Sequence, residues 1–330
     1  MSNQPEVIVY SQMKGGVGKS TLLKALGITL AQRDKKKVLL IDGDTTCNLS
    51  QMYGIIEQNN TIGEVFKKDG HEVQIRNVGE NLDLVPGYLN MSELEDELVT
   101  DVNKFVRLFI WMNNQQELLQ QYDYVLIDTH PDFKVFTKNA IAVADKVIAP
   151  DRPSDVSKYT DQNIEMRMED FKKEMVDFKT GQSLINASLF TIGNMVEHNT
   201  KDSKAFLSYI REKDTYLTYF PKKQLLVRAI RNNATVQAQA EIENYSKNRE
   251  FVEHFNQSID QIIEAQKGKN KKDYNKGKTT IKIYEEYKPL FDEIAAEERT
   301  PIGDFFDKMV VYYAEKKAPQ ILEKHRQDKD

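Results

Sequence analysis

Short apolar runs rich in β-branched residues recur along the first two thirds of the chain. They stand at Val7–Tyr10, Val38–Ile41, Leu82–Val85, Tyr124–Ile127, Lys146–Ala149 and Leu189–Ile192, and each reads as a buried strand. Between the first two, Leu22, Leu23, Leu26, Ile28 and Leu30 supply the apolar surface of a helix predicted from Gly18 to Gln32. Lys35-Lys36-Lys37 closes that helix before the second strand. A polar helix is predicted over 155–180, and another over 241–265, where Ile242, Tyr245, Phe251, Phe255, Ile259 and Ile262 recur at helical spacing. Strands alternating with helices predict an α/β fold with a mostly parallel sheet flanked by helices.

The pattern changes at Lys267. The stretch 267–278 holds six lysines, one aspartate and almost nothing to bury, so it reads as a basic linker or exposed loop. Apolar positions return at Ile281, Ile283, Tyr284 and Tyr287, then at Ile302, Phe305, Phe306, Met309, Val310 and Tyr313. Thr300 as N-cap and Pro301 at the first helical position predict a helix start there. The expected organisation is a domain over 1–265, a basic linker over 266–279 and a mainly helical C-terminal appendage over 280–330.

Composition narrows the class. With 330 residues and 40% hydrophobic content there is ample material for a buried core. The net charge of −5 gives no overall attraction for nucleic acid, so any DNA contact must come from a local basic patch. Cys47 is the only cysteine, which excludes a disulfide framework within one chain. The N-terminus lacks a basic segment followed by an apolar one, and no apolar stretch approaches the roughly 18 residues of a membrane span. A soluble cytoplasmic protein is expected.

The chemistry begins directly after the first strand. Residues 14–21 read Lys-Gly-Gly-Val-Gly-Lys-Ser-Thr, and a helix follows. Gly15, Gly16 and Gly18 let the backbone curl so that N–H groups, Val17 among them, converge on an anion. The helix N-terminus aims its positive end at the same point. Lys19 would reach the terminal phosphates, Ser20 would hold magnesium, and Thr21 completes the loop. An ordinary phosphate-binding loop carries a glycine where this chain has Met13, and this loop has a second lysine, Lys14, at its front. The second strand ends in Asp42-Gly-Asp44-Thr45-Thr46, two carboxylates that leave the strand on the same side. The run Tyr124–Ile127 ends in Asp128, with His130 and Pro131 beyond it, the arrangement of a Walker B strand.

The two-lysine loop is a deviant Walker A motif and resembles the ParA/MinD superfamily of dimerising ATPases over about residues 6–262. The resemblance implies ATP and Mg2+ as cofactors and catalytic roles for Lys14, Lys19 and Asp44. Lys14 would cross to the partner's nucleotide, Asp44 would position the attacking water, and Asp42 and Asp128 would hold magnesium through water. The family reads Asp-x-Asp-Pro-Gln-x-Asn after its second strand. This chain keeps Asp42, Asp44 and Asn48 but replaces Pro-Gln with Thr45-Thr46, and it has His130 where proline or a small residue is common. His130 reads as a switch-loop residue, since phosphoryl transfer depends mostly on positioning and charge. His71, His198, His254 and His325 form no metal spacing. Asn194 and Pro221 correspond by resemblance to residues beside the adenine.

Lys222, Lys223, Arg228 and Arg231 lie within 221–231 with no acid among them, and Arg228 and Arg231 would share a helix face. This segment and the 267–278 lysines are the two candidate DNA contacts. The leading reading is a ParA-type plasmid or chromosome partition ATPase. It would dimerise on ATP, bind DNA non-specifically on the nucleoid and respond to a centromere-binding, ParB-like partner. With its first strand at residues 7–10, the chain is expected to lack the N-terminal helix-turn-helix of the larger plasmid ParA type. The alternatives are a MinD-like membrane-cycling ATPase and a regulatory or assembly ATPase such as a copy-number or secretion factor. Membrane cycling is disfavoured because Ile302–Tyr313 mixes acids with lysines, whereas a lipid-docking helix needs a basic face.

Overall fold

A computed structural model describes residues 4–153, 157–177, 179–197, 200–211, 213 and 216–265, with backbone alone for 157–163. Its strands are β1 (Glu6–Tyr10), β2 (Val38–Gly43), β3 (Arg76–Gly79), β4 (Leu82–Val85), β5 (Tyr124–Thr129), β6 (Lys146–Asp151), β7 (Ser188–Val196) and β8 (Tyr216–Pro221). They form one sheet in the order β3-β4-β2-β5-β1-β6-β7-β8. Every pairing is parallel except β3 with β4. The chain has an α/β P-loop NTPase fold.

Successive side chains of the central strands go to opposite faces, which explains why both faces need apolar residues. Ile8, Tyr10, Leu40 and Leu126 pack on one side with the helix α1 (Lys19–Gln32), a helix at Gln224–Arg231 and another over 245–265. Val7, Val9, Leu39, Ile41, Val125 and Ile127 pack on the other side with Phe66, Phe136 and Phe171. Gly27 of α1 lets the helix sit close to the sheet: a Cβ there would lie 2.9 Å from Leu40 Cδ2.

All six expected strands lie within observed ones. Two strands were not expected. β3 carries Arg-Asn-Val-Gly, too polar to announce itself, and β8 is an edge strand whose residues are mostly half-buried. The helix expected over 155–180 is Ser157–Glu174. The single helix expected over 241–265 is interrupted at Asn244, whose backbone is extended. Ile242 ends the preceding helix, Val236–Glu243, and is 77% exposed rather than part of the core stripe. The expected linker and appendage, 266–330, lie outside the described residues.

β1 sits between β5 and β6, at the point where the strand order reverses. The turns after β1, β2 and β5 therefore open on the same edge of the sheet, where open α/β sheets form their binding crevice.

Candidate functional site

The loop from Lys14 to Gly18 joins β1 to α1. Gly16 and Gly18 have φ of +69° and +88°, a left-handed geometry that L side chains resist. Gly18 stands at the N-cap of α1 without a side-chain cap, so the first helical N–H groups face outward. Gly15, Gly16, Val17, Gly18, Lys19, Ser20 and Thr21 line a cleft of about 310 Å3. Asp44, Thr46, His130 and Pro131 line it from the loops after β2 and β5.

Lys19 is buried, and burial pulls its ammonium below the usual lysine range while Asp128 and Asp44 hold it up. Asp42 and Asp128 are paired in register across β2 and β5, both fully buried. Asp42 accepts from the Ser50 amide at 2.8 Å, from the Ser50 hydroxyl at 2.7 Å and from the Asp44 amide at 3.2 Å. Burial nevertheless pushes its carboxyl up to about 6. Neither oxygen of Asp128 has a hydrogen-bond partner of good geometry. Burial, then the charge of Asp42, pushes Asp128 up to about 8, with Ser20 and Lys19 opposing.

This arrangement fits a magnesium ion. Two buried carboxylates, one with no hydrogen bond of good geometry, beside the Ser20 hydroxyl leave negative charge that a divalent cation would neutralise. Among the described residues no group of three or more His, Cys, Asp or Glu could cage a metal by itself. That too suits magnesium, which keeps waters and shares substrate phosphates.

Asp44 has a different environment. Burial works against its charge, but His130 and the Thr46 amide and hydroxyl outweigh that and hold its carboxyl below the ordinary range. His130 Nδ1 lies 3.0 Å away, the Thr46 amide 2.8 Å and the Thr46 hydroxyl 2.7 Å, all at Oδ1. Oδ2 is left open. Asp42 and Asp44 each accept the amide two residues on, so the strand ends in two consecutive Asx turns.

The two residues expected beside the adenine lie outside this cleft lining. Asn194 is buried behind the loop: its Nδ2 donates to the Val17 carbonyl at 2.7 Å, and its Oδ1 accepts from the Met195 amide at 2.8 Å. It braces the loop and does not line the cleft. Pro221 ends β8, pairs with Val196 and is also outside the cleft lining. The basic segment carries acids from elsewhere in the chain. Lys222 pairs with Glu197 at 2.6 Å, and Arg228 makes a two-pronged pair with Glu243 at 2.5 and 2.7 Å. Lys223 lies 5.1 Å above the Phe251 ring. Arg231 is exposed with no ion pair among the described residues.

Sequence reasoning missed three supports. Ser50 holds Asp42 and in turn accepts from the Gly87 amide at 2.9 Å. Gly87 must be small, because a Cβ would stand 2.9 Å from Asp42 Cγ. The contact of His130 with Asp44 is the third. None of the three has a local sequence signal, because each joins residues well separated in the chain.

Residues 5–179 match a family model described as an AAA domain, and the chain belongs to that family and to the ParA/MinD superfamily. An uncharacterized protein of Methanocaldococcus jannaschii is 30% identical over 211 residues, 60% of this chain and 75% of that protein. The sporulation initiation inhibitor protein Soj of Bacillus subtilis is 32% identical over 149 residues, 44% of this chain and 57% of Soj. The chromosome partitioning protein ParA of Myxococcus xanthus is 34% identical over 152 residues, 44% of this chain and 51% of ParA. The chain thus spans three quarters of the first relative and only about half the length of the other two. A plasmid partition protein from Borrelia burgdorferi bound to AMPPNP shares the fold, with a TM-score of 0.64 and 24% identity over 79% of this chain and 100% of that one. An ATP complex of Cyanothece McdA does so at a TM-score of 0.65 and 19% identity, covering 79% and 97%. Among the described residues no helix is long and apolar enough to cross a membrane.

Proposed function

We propose that this protein is a slow, magnesium-dependent ATPase of the plasmid or chromosome partition type. The observation that carries the reading is a phosphate loop whose Lys19 and Ser20 share one cleft with Asp44 and act on the buried Asp128, which is paired in register with Asp42. The loop N–H groups and Lys19 bind the phosphates, and Ser20, Asp42 and Asp128 hold Mg2+, which supplies charge neutralisation at the phosphates when bound. Asp44 orients water through its open Oδ2. Lys14 reaches across a homodimer that forms on ATP binding.

The ATP dimer binds DNA without sequence preference, and a centromere-binding, ParB-like partner stimulates hydrolysis to ADP and phosphate. The protein acts on the nucleoid in the cytoplasm. Of the basic residues at 222–231, Arg231 is the one with neither ion pair nor ring contact among the described residues and is the first DNA contact to test. The relatives named ParA and Soj support this reading.

Co-sedimentation with ATP tests it against plain DNA, against liposomes and with neither. The expected result is pelleting with DNA only, and only with ATP. Asp44→Ala should keep ATP and DNA binding but lose turnover by about a hundredfold or more. Pelleting with liposomes alone would replace partition with membrane cycling.

A further inference from the structure

Two departures from the family's sequence pattern lie 85 residues apart and touch. Thr45 stands where the pattern has proline, His130 where it has proline or a small residue, and the Thr45 hydroxyl lies 3.0 Å from His130 Nδ1. The same nitrogen lies 3.0 Å from Asp44 Oδ1. That oxygen already accepts from the Thr46 amide and hydroxyl. Nδ1 must therefore carry a hydrogen and donate it, since a bare lone pair would face the carboxylate. Thr45 Oγ1 shares this hydrogen as a second acceptor.

The consequence is mechanical. Thr45 belongs to the loop after β2 and His130 to the loop after β5, so one imidazole N–H ties the two loops that flank the cleft. It adds a third contact to Asp44 Oδ1, whereas no hydrogen bond among the described residues falls on Oδ2. Without this N–H the carboxylate keeps only contacts from its own loop, and nothing orients it relative to β5. Where the pattern's prolines would stiffen each loop separately, this chain joins the loops by side chains.

We propose that Thr45 and His130 form a latch that couples the two loops and fixes Asp44 with Oδ2 toward the cleft. His130 is then a positioning residue for hydrolysis. The inference rests on the reading of Asp44 as the group that orients water.

The test uses the full chain and three measurements: ATP affinity, single-turnover hydrolysis, and hydrogen exchange at the Thr46 amide without nucleotide. For His130→Ala the expected affinity is within about twofold of wild type, the turnover about tenfold to a hundredfold slower, and Thr46 exchange faster. His130→Asn, which keeps an N–H donor near the Nδ1 position, should recover most of both losses. Adding His130→Ala to Asp44→Ala should cost nothing further, because the two act through one contact. Wild-type turnover in His130→Ala, or a loss that His130→Asn does not recover, overturns the latch. A wild-type protein that hydrolyses no ATP overturns the proposed function, and Thr46 exchange then decides the latch alone: unchanged protection in His130→Ala contradicts it.

Discussion

Asp42 and Asp128 face each other across adjacent parallel strands, both sealed from solvent, yet only Asp42 is hydrogen-bonded. The asymmetry marks where a cation would act. Ser50 and the Asp44 amide stabilise the charge on Asp42 by close hydrogen bonds, whereas at Asp128 only Ser20 and Lys19 favour the charge and burial outweighs them.

The cation-free protein should therefore lose stability as pH rises. The folded Asp128 keeps its proton up to about 8, while the unfolded residue releases it near pH 4, about 3.9. Between those values the folded state binds the extra proton, so stability falls through that window. Asp128→Asn should remove this decline and gain on the order of 2 kcal/mol over wild type at alkaline pH without magnesium. Urea unfolding at pH 6 and pH 9 checks it; parallel pH profiles for the two proteins would contradict it.

Gly18 should tolerate no side chain. Its φ of +88° costs an L residue about 1–2 kcal/mol, and a Cβ would lie 2.4 Å from Asn194 Nδ2. Gly18→Ala should push out the brace that Asn194 gives the Val17 carbonyl and weaken ATP binding at least tenfold. Asn194→Ala, which removes the brace without strain, should weaken it less. Isothermal titration of both variants with ATP and magnesium measures the difference.

Much of this arrangement was legible in the chain. The central strands are buried on both faces, so their apolar runs stood out, and the phosphate loop has a spacing that few other structures require. β3 and β8 lacked that signal because edge strands need only partial burial. The break at Asn244 left no Gly or Pro to mark it. Asn194 was read only as a neighbour of the adenine; its bond to the Val17 carbonyl, a backbone group with no signature, could not be read from the chain. The pairing of Arg228 with Glu243 was hidden for a similar reason. A segment free of acids acquires them from another helix on folding.

Lys24 offers a check on the packing of α1. It is fully buried, donates to the Met52 carbonyl at 3.0 Å and lies 3.7 Å above the Tyr53 ring. Burial lowers its ammonium to about 8. The unfolded lysine binds its proton up to about 10.4, so between the two values the unfolded state holds the extra proton and this residue's contribution to stability rises with pH. Lys24→Met should be at least as stable as wild type at pH 7, and the gap should close or reverse by pH 10. Thermal unfolding across that range follows it, and a gap that widens with pH would contradict the burial argument.

Salt dependence can locate the DNA contact. Each phosphate contact contributes about 0.9 to the slope of log K against log salt. Arg231→Ala should lower that slope by about one, whereas Arg228→Ala should change it less because Glu243 already engages its guanidinium. Glu243→Gln should release Arg228 and strengthen DNA binding. If only truncation after Gln266 abolishes binding, the contact belongs to the lysine-rich segment.

The second lysine of the loop is the residue through which ATP would be read out as a dimer. Sedimentation velocity of wild type and Lys14→Ala with ATP and magnesium tests it, alongside ATP titration of both. A residue that reaches a partner's phosphate adds nothing to the monomer, so Lys14→Ala should bind ATP within a few-fold of wild type and sediment as a monomer where wild type forms a dimer. An ATP dimer of wild-type strength from Lys14→Ala would contradict the account and reduce the motif to an ordinary phosphate loop.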